Sequence, residues 1–201
     1  MADGDGTGEG RGGPGVLGAA GRAAELVGLV RLAPASAGGV RILGVDGRSG
    51  SGKTDLASAI TGVAPCPVVR LDDLYAGWRG LAASVPVLCA EVVRPLLAGR
   101  PGRYRRYDWH AGRLGGTVTI DPAELIVIEG VGALAGDCAE DYALRVWLEA
   151  PTTVRRRRAL ARDGGAFAEH WHEWAEQEEA LFADGRARGR ADVVLDTSGR
   201  R

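Results

Sequence analysis

Lysine is almost missing from this chain. Lys53 is the one lysine among 25 Lys and Arg residues in a sequence of 201. A GTPase switch that reads guanine through Asn-Lys-x-Asp needs a second lysine and is excluded. Long apolar runs are missing too: none reaches the roughly 18 residues of a membrane span. Cysteine is sparse. Cys66, Cys89 and Cys138 lie far apart with no Cys-x-x-Cys, so neither a zinc site nor a disulfide framework is expected, and the thiols read as reduced and cytoplasmic. Histidine is equally thin. His170 and His172 stand at i, i+2 of a helical segment, on different faces, which argues against a shared metal. The net charge is −1, so no basic field points to nucleic acid or a membrane surface as partner. The first residues are acidic and glycine-rich rather than basic and then apolar, unlike a secretory signal.

What is present centres on the lone lysine. Gly47-Arg48-Ser49-Gly50-Ser51-Gly52-Lys53-Thr54 is a complete G-x-x-x-x-G-K-T pattern, which this composition would produce by chance roughly 0.002 times per chain. Its flanks fit: the apolar run 40–45 reads as a strand and 54–60 as a helix. Glycines let backbone N–H groups turn inward around phosphates, and the helix N-terminus adds a favourable dipole. An ammonium on a flexible stem reaches between phosphate oxygens as a point charge, where a planar guanidinium does not do so equivalently. The chain therefore reads as a binder of a nucleoside triphosphate.

Residues 1–18 read as a disordered glycine-rich tail and 19–201 as a single domain. A helix is expected at 19–33. Strands follow at 40–45, 67–71, 125–128, 144–148 and 192–195, with helices at 86–98, 151–163 and 167–184 and two short β candidates at 103–108 and 117–120. Short apolar strands alternating with helices predict an α/β fold: a parallel sheet of about five strands with helices on both faces, a P-loop NTPase three-layer sandwich.

Three further sites follow strands, where open α/β sheets place ligands. Asp72, in Leu71-Asp72-Asp73-Leu74-Tyr75, is the candidate that orients or deprotonates an attacking hydroxyl; a pair of solvated loop acids is the alternative. Glu129 ends the apolar run Ile126-Val127-Ile128 and would hold Mg²⁺ with Thr54. Arg155, Arg158 and Arg162 fall within about 60° of one another on a helix, a positive stripe suited to closing over polyphosphate as a helical lid at about 151–170. Trp171, Trp174, Leu181 and Phe182 form one stripe, read as core facing with an aromatic wall as the alternative. Glu178 falls on that stripe and needs a partner such as a lid arginine. Trp78 is either a loop anchor or a stacking surface for an acceptor ring.

Taken together, GRSGSGKT, LDDLY, Tyr107-Asp108-Trp109, VIEG and the R-x-x-R-x-x-x-R-D run at 155–163 resemble the uridine kinase group of P-loop kinases over residues 40–197. The resemblance implies a nucleoside-kinase-type fold and a small hydroxylated, nucleoside-like acceptor. Gly47–Thr54, Arg155, Arg158 and Arg162 would bind ATP, with Asp72, Lys53 and Arg158 catalytic. Asp72, Tyr75, Trp78, Tyr107 and Asp108 would lie at the acceptor. The Asp-His-Pro-x-x-Phe-Asp segment of uridine kinases has no counterpart in 76–90, so the acceptor stays open. A nucleotide-binding accessory protein without acceptor kinase activity is the alternative. A homo-oligomer is compatible with the sequence.

Overall fold

The computed structural model describes residues 19–199, apart from the side chains of 163–166; the tail 1–18 lies outside the described residues. Five strands make one parallel sheet, in the order β2 (Val68–Arg70), β5 (Leu125–Glu129), β1 (Arg41–Asp46), β6 (Leu144–Glu149) and β7 (Val193–Asp196). Both faces are covered, which is why β5 is buried at every position and why these strands are apolar rather than alternating. Side chains still divide between the two faces. Leu43, Val45, Val127 and Val146 pack beneath α1 (Ala19–Leu32) and α2 (Lys53–Val63). Ile42, Ile126, Ile128 and Trp147 pack on the other face with Phe167, Trp171 and Trp174 of α5 (Thr152–Leu181).

Register places the chemistry. Val45 pairs with Glu129, and Glu129 pairs with Arg70. The glycine loop after β1, the acid ending β5 and the Leu71–Asp73 turn after β2 therefore emerge side by side at the C-terminal edge of the sheet. Gly130, at φ 146°, allows this approach: a Cβ there would lie 2.5 Å from the Leu71 Cβ.

Four expectations need correction. The helix read at 86–98 begins at Leu81 and runs as α3 (Leu81–Val87), a π-helical stretch (Leu88–Val93) and α4 (Arg94–Leu97). Pro95 has no N–H for the Glu91 carbonyl, and its ring would clash there; widening to i→i+5, as in the Arg94 N–H bond to the Cys89 carbonyl, relieves that crowding. The helices read at 151–163 and 167–184 are one helix, α5. Each residue of the Gly164-Gly165 pair costs about 1 kcal/mol relative to alanine, a cost outweighed by burial of Phe167, Trp171 and Trp174 downstream. Finally, Cys89 and Cys138 form a disulfide across a Cα separation of 5.5 Å, leaving Cys66 free. They are 49 residues apart, and only packing of the π-helical stretch on the 3-10 turn Asp137–Asp141 brings them together. The two short β candidates are longer than read, β3 (Gly102–Asp108) and β4 (Arg113–Ile120), an antiparallel hairpin outside the main sheet.

Candidate active site

The glycine loop joins β1 to α2. Gly50, at φ 77°, packs so closely on the first turn of α5 that a Cβ would lie 2.1 Å from the Arg155 carbonyl oxygen. Lys53 is buried, and its Nζ donates to the carbonyls of Gly47 at 2.7 Å and Arg48 at 3.2 Å. The ammonium is thus held across the loop it closes. Next to it, the Thr54 hydroxyl donates to Glu129 Oε1 at 3.3 Å. Burial raises the Glu129 carboxyl above its ordinary pKa, with the Lys53 charge as the main opposing influence.

These groups open into two adjoining cavities. One, of about 340 Å³, is lined by the loop from Ser49 to Asp55 with Asp72, Glu129, Arg158 and Arg162. The other, of about 440 Å³, extends from Thr54, Asp72, Glu129 and Arg162 to Tyr75 and Trp78. Thr54, Asp72, Glu129 and Arg162 line both, so they stand where the two cavities meet.

The arginine stripe divides. Arg162 faces both cavities, and Arg158 lines the first while donating to the Thr197 carbonyl at 2.7 Å and its hydroxyl at 3.2 Å. Arg155 does not line that cavity. It is buried behind the glycine loop, donating to the carbonyls of Ser49 and Ala150 and lying 3.8 Å from Glu178. At the first turn of α5 its side chain meets the loop backbone rather than the cleft. Glu178 is buried as well and accepts from the Ser49 N–H at 2.7 Å and Trp174 Nε1 at 3.0 Å. The partner it required is the arginine first read as a phosphate ligand. Arg48, also in the loop, turns outward to Glu179 at 2.6 Å and lies over the Phe182 ring.

Of the acceptor-side residues, Asp72, Tyr75 and Trp78 line the larger cavity. Tyr75 is buried, presents its ring and donates its hydroxyl to the Val131 carbonyl at 2.9 Å. Tyr107 and Asp108 do not line the cavity. Asp108 Oδ1 accepts the N–H groups of His110 and Ala111, capping the hairpin turn, and these bonds hold its pKa below the usual range. The Tyr107 ring packs edge-on against Trp109, 5.1 Å between centroids.

Five further residues carry the site. Trp109, Phe167, Trp174 and Arg70 line the larger cavity; of the Tyr107-Asp108-Trp109 motif, it is Trp109 that reaches it. Asp46 is the fifth. It is fully buried, its Oδ1 accepting from Gly47 at 2.6 Å and Gly132 at 2.9 Å and its Oδ2 from Leu134 at 2.8 Å. Burial pushes its pKa up to about 6 against those bonds and the Lys53 charge. An acid closing an apolar strand directly before the glycine loop was the available signal.

No family model matches the sequence, and no curated protein is similar to it. Solved structures do resemble the fold. One from Bacillus stearothermophilus, described as a possible uridine kinase, aligns over 87% of this chain and 97% of its own at TM-score 0.62 and 22% identity. The chain has the P-loop α/β sandwich fold. A second structure, from Silicibacter sp. TM1040 and described as a putative fructose transport system kinase, aligns over 89% of this chain and 99% of its own at TM-score 0.56 and 18% identity. At such identities the likeness is one of architecture: a parallel sheet with helices on both faces and a P-loop after β1. No described helix is long and apolar enough to cross a membrane.

Proposed function

We propose that residues 19–201 form one ATP-dependent phosphotransferase domain, moving the γ-phosphate to a hydroxyl of a small, nucleoside-like molecule. The supporting observation is the junction of the two cavities at Thr54, Asp72, Glu129 and Arg162. A protein that only bound nucleotide would need no second cavity opening on the same acid.

Lys53 and the loop N–H groups hold the β- and γ-phosphates. A hydroxyl and a carboxylate are hard oxygen donors, and Thr54 and Glu129 stand in hydrogen-bond contact, which suits Mg²⁺. That ion is usually held by one or two carboxylates together with substrate phosphates. The described residues contain no cluster of three or more His, Cys, Asp or Glu side chains that could hold a metal alone, in keeping with such shared binding. Mg²⁺ would supply charge neutralisation at the phosphate oxygens. Asp72 orients the acceptor hydroxyl. The acceptor oxygen bonds to the γ-phosphorus as the bond to the ADP oxygen breaks; ADP leaves with that electron pair, and the hydroxyl proton passes to Asp72. Arg158 and Arg162, on the lid half of α5, stabilise charge at the transferring group.

The test is Asp72→Asn. General-base assistance contributes about 10²- to 10⁴-fold, so ADP formation in the presence of acceptor should fall by that factor with Mg-ATP affinity kept. Undiminished transfer would defeat the mechanism.

A further inference from the structure

On the reverse side of the glycine loop lies a third cavity, of about 280 Å³. Trp147 and Leu148, at the end of β6, and Phe182, just after α5, give it apolar walls. Arg48 of the loop, Arg155 and Arg188 line it as well. None of its lining residues lines either cavity described above. Its volume is just below the roughly 300–1,000 Å³ of ordinary ligand pockets, which suits a molecule of about ten heavy atoms.

The lining divides into an apolar surface and a cationic rim. Trp147 is buried, and its ring meets Phe182 edge-on at 5.0 Å between centroids. The Arg48 guanidinium lies 5.9 Å from the centre of the Phe182 ring. Among the lining residues three are arginines and one, Glu149, is an acid. Arg155 is committed to the protein, donating to the Ala150 and Ser49 carbonyls and the Thr152 hydroxyl. Burial holds its pKa below the ordinary value, with the Glu178 charge opposing and the Arg48 charge adding to the depression. Two cations thus stand close enough to repel across the back of the loop.

Arg48 and Arg188 are held less firmly. Arg48 pairs with Glu179 at 2.6 Å and Arg188 with Glu149 at 2.6 Å, both pairs in contact with solvent. Exposed ion pairs of this kind contribute little, because each partner is well hydrated alone. An incoming carboxylate can therefore take over the arginines while Glu179 and Glu149 return to water. It keeps the repulsion between Arg48 and Arg155 balanced, as Glu179 does now. Arginine's planar fork matches a carboxylate through two parallel hydrogen bonds. The Phe182 and Trp147 surface beside that fork offers contact to an apolar body, which neither glutamate supplies.

We propose that this cavity is a second binding site, for a small apolar carboxylic acid, with the carboxylate on Arg48 and Arg188 and the apolar body against Phe182 and Trp147. The acid meets the glycine loop on the side away from the phosphates, so it binds together with nucleotide. The site goes beyond the phosphotransferase reading and stands or falls without it.

The probe is benzoate, titrated into the full chain and followed by proton–nitrogen-15 NMR without nucleotide. Saturable shifts of the Trp147 indole and the Gly185 and Arg188 amides are expected, with a Kd of about 0.1–1 mM for a ligand this small. Benzamide keeps the shape without the charge and should bind about 10-fold more weakly, the factor for one lost charge-assisted hydrogen bond. Acetate keeps the charge without the ring and should also bind about 10-fold more weakly. Arg188→Gln should weaken benzoate by about 10-fold. Glu179→Gln should act in the opposite direction and tighten it about threefold, since Arg48 loses its competing acid. Glu124→Gln removes an acid paired with Arg41 at the opposite edge of the sheet and should do neither. With saturating Mg-ADP present, benzoate should still shift Trp147. Four results would overturn the site: no saturable shift at Trp147, shifts confined to Trp78 and Trp109, equal affinity for benzamide, or displacement of benzoate by Mg-ADP. Unchanged affinity in both Arg188→Gln and Glu179→Gln would overturn it as well. If benzoate binds as expected and Mg-ADP produces no shifts at all, the kinase reading fails and this site stands.

Discussion

At the scale of the residue, Lys53 and Glu178 show how a single side chain is committed to its place. Lys53 Nζ reaches two carbonyls of its own loop from a buried position. Lys53→Arg keeps the charge and loses the fit, since a planar guanidinium fork cannot act as the compact point charge that a flexible ammonium is. Charge-assisted hydrogen bonds contribute about 1.5–3 kcal/mol each, so Mg-ATP affinity should drop about 10- to 100-fold by calorimetry. Urea unfolding without nucleotide should change far less. Glu178 makes the opposite prediction. It neutralises buried Arg155 and accepts the Ser49 N–H and Trp174 Nε1. Glu178→Ala strands a buried cation, a change that costs about 3–5 kcal/mol and should appear as a lower urea midpoint. Replacing Arg155 and Glu178 together with apolar residues should restore much of it. A midpoint unchanged in Glu178→Ala would refute the pairing.

At the scale of the element, the disulfide joins a π-helical stretch to a 3-10 turn and closes a loop spanning 49 residues. That loop includes the β3–β4 hairpin and β5. Cross-linking a loop of this length removes unfolded-state entropy of about 4 kcal/mol in the chain-entropy model. Reduction, or Cys89→Ser, should lower unfolding free energy by up to about that amount, measured in urea with and without dithiothreitol. Cys66→Ser should not respond to reductant differently from the parent. The same elements mark what could be read in advance. β1, β5 and β6 are apolar runs ending in a glycine loop or an acid, and a buried parallel strand has no other common sequence form. Glu178 was legible as an acid needing an arginine because its spacing put it on an apolar stripe. The fusion of the two halves of α5 was not, since two glycines are locally unfavourable and only tertiary burial of Phe167 and Trp171 outweighs them. Nor was the membership of Trp109 in the cavity. Its place depends on a hairpin folding back over the loop after β2, a contact that no local periodicity encodes.

At the scale of the whole molecule, Asp46 binds the C-terminal edge of the sheet into one unit. Its carboxylate accepts from the first residue of the glycine loop and from two residues of the loop after β5. That second loop holds Tyr75 through the Val131 carbonyl, and Tyr75 follows the segment that carries Asp72. Burial raises the Asp46 pKa from 3.8 to about 6. A raised acid binds its proton more tightly in the folded state, so between pH 3.8 and 6 the native protein holds more of that proton than the unfolded chain does. Stability from this group is therefore greatest below pH 3.8 and declines as pH rises through 6, by up to about 3 kcal/mol. Above about pH 7 the decline is complete. Asp46→Asn removes the titration and leaves an amide facing the Leu134 N–H, so the variant should be weaker at every pH. The informative quantity is the difference in unfolding free energy between the parent and Asp46→Asn, followed in urea from pH 4.5 to 7.5 at fixed ionic strength. It should shrink as pH rises, because the parent alone bears the growing cost of an ionised, buried carboxylate. A difference that stayed constant, or widened with pH, would mean that the three N–H donors and Lys53 outweigh burial and keep Asp46 ionised throughout. If the variant fails to fold, the carbon-13 shift of the Asp46 carboxyl in the parent gives the same answer, with a midpoint near 6 expected and one below 4 contradicting it.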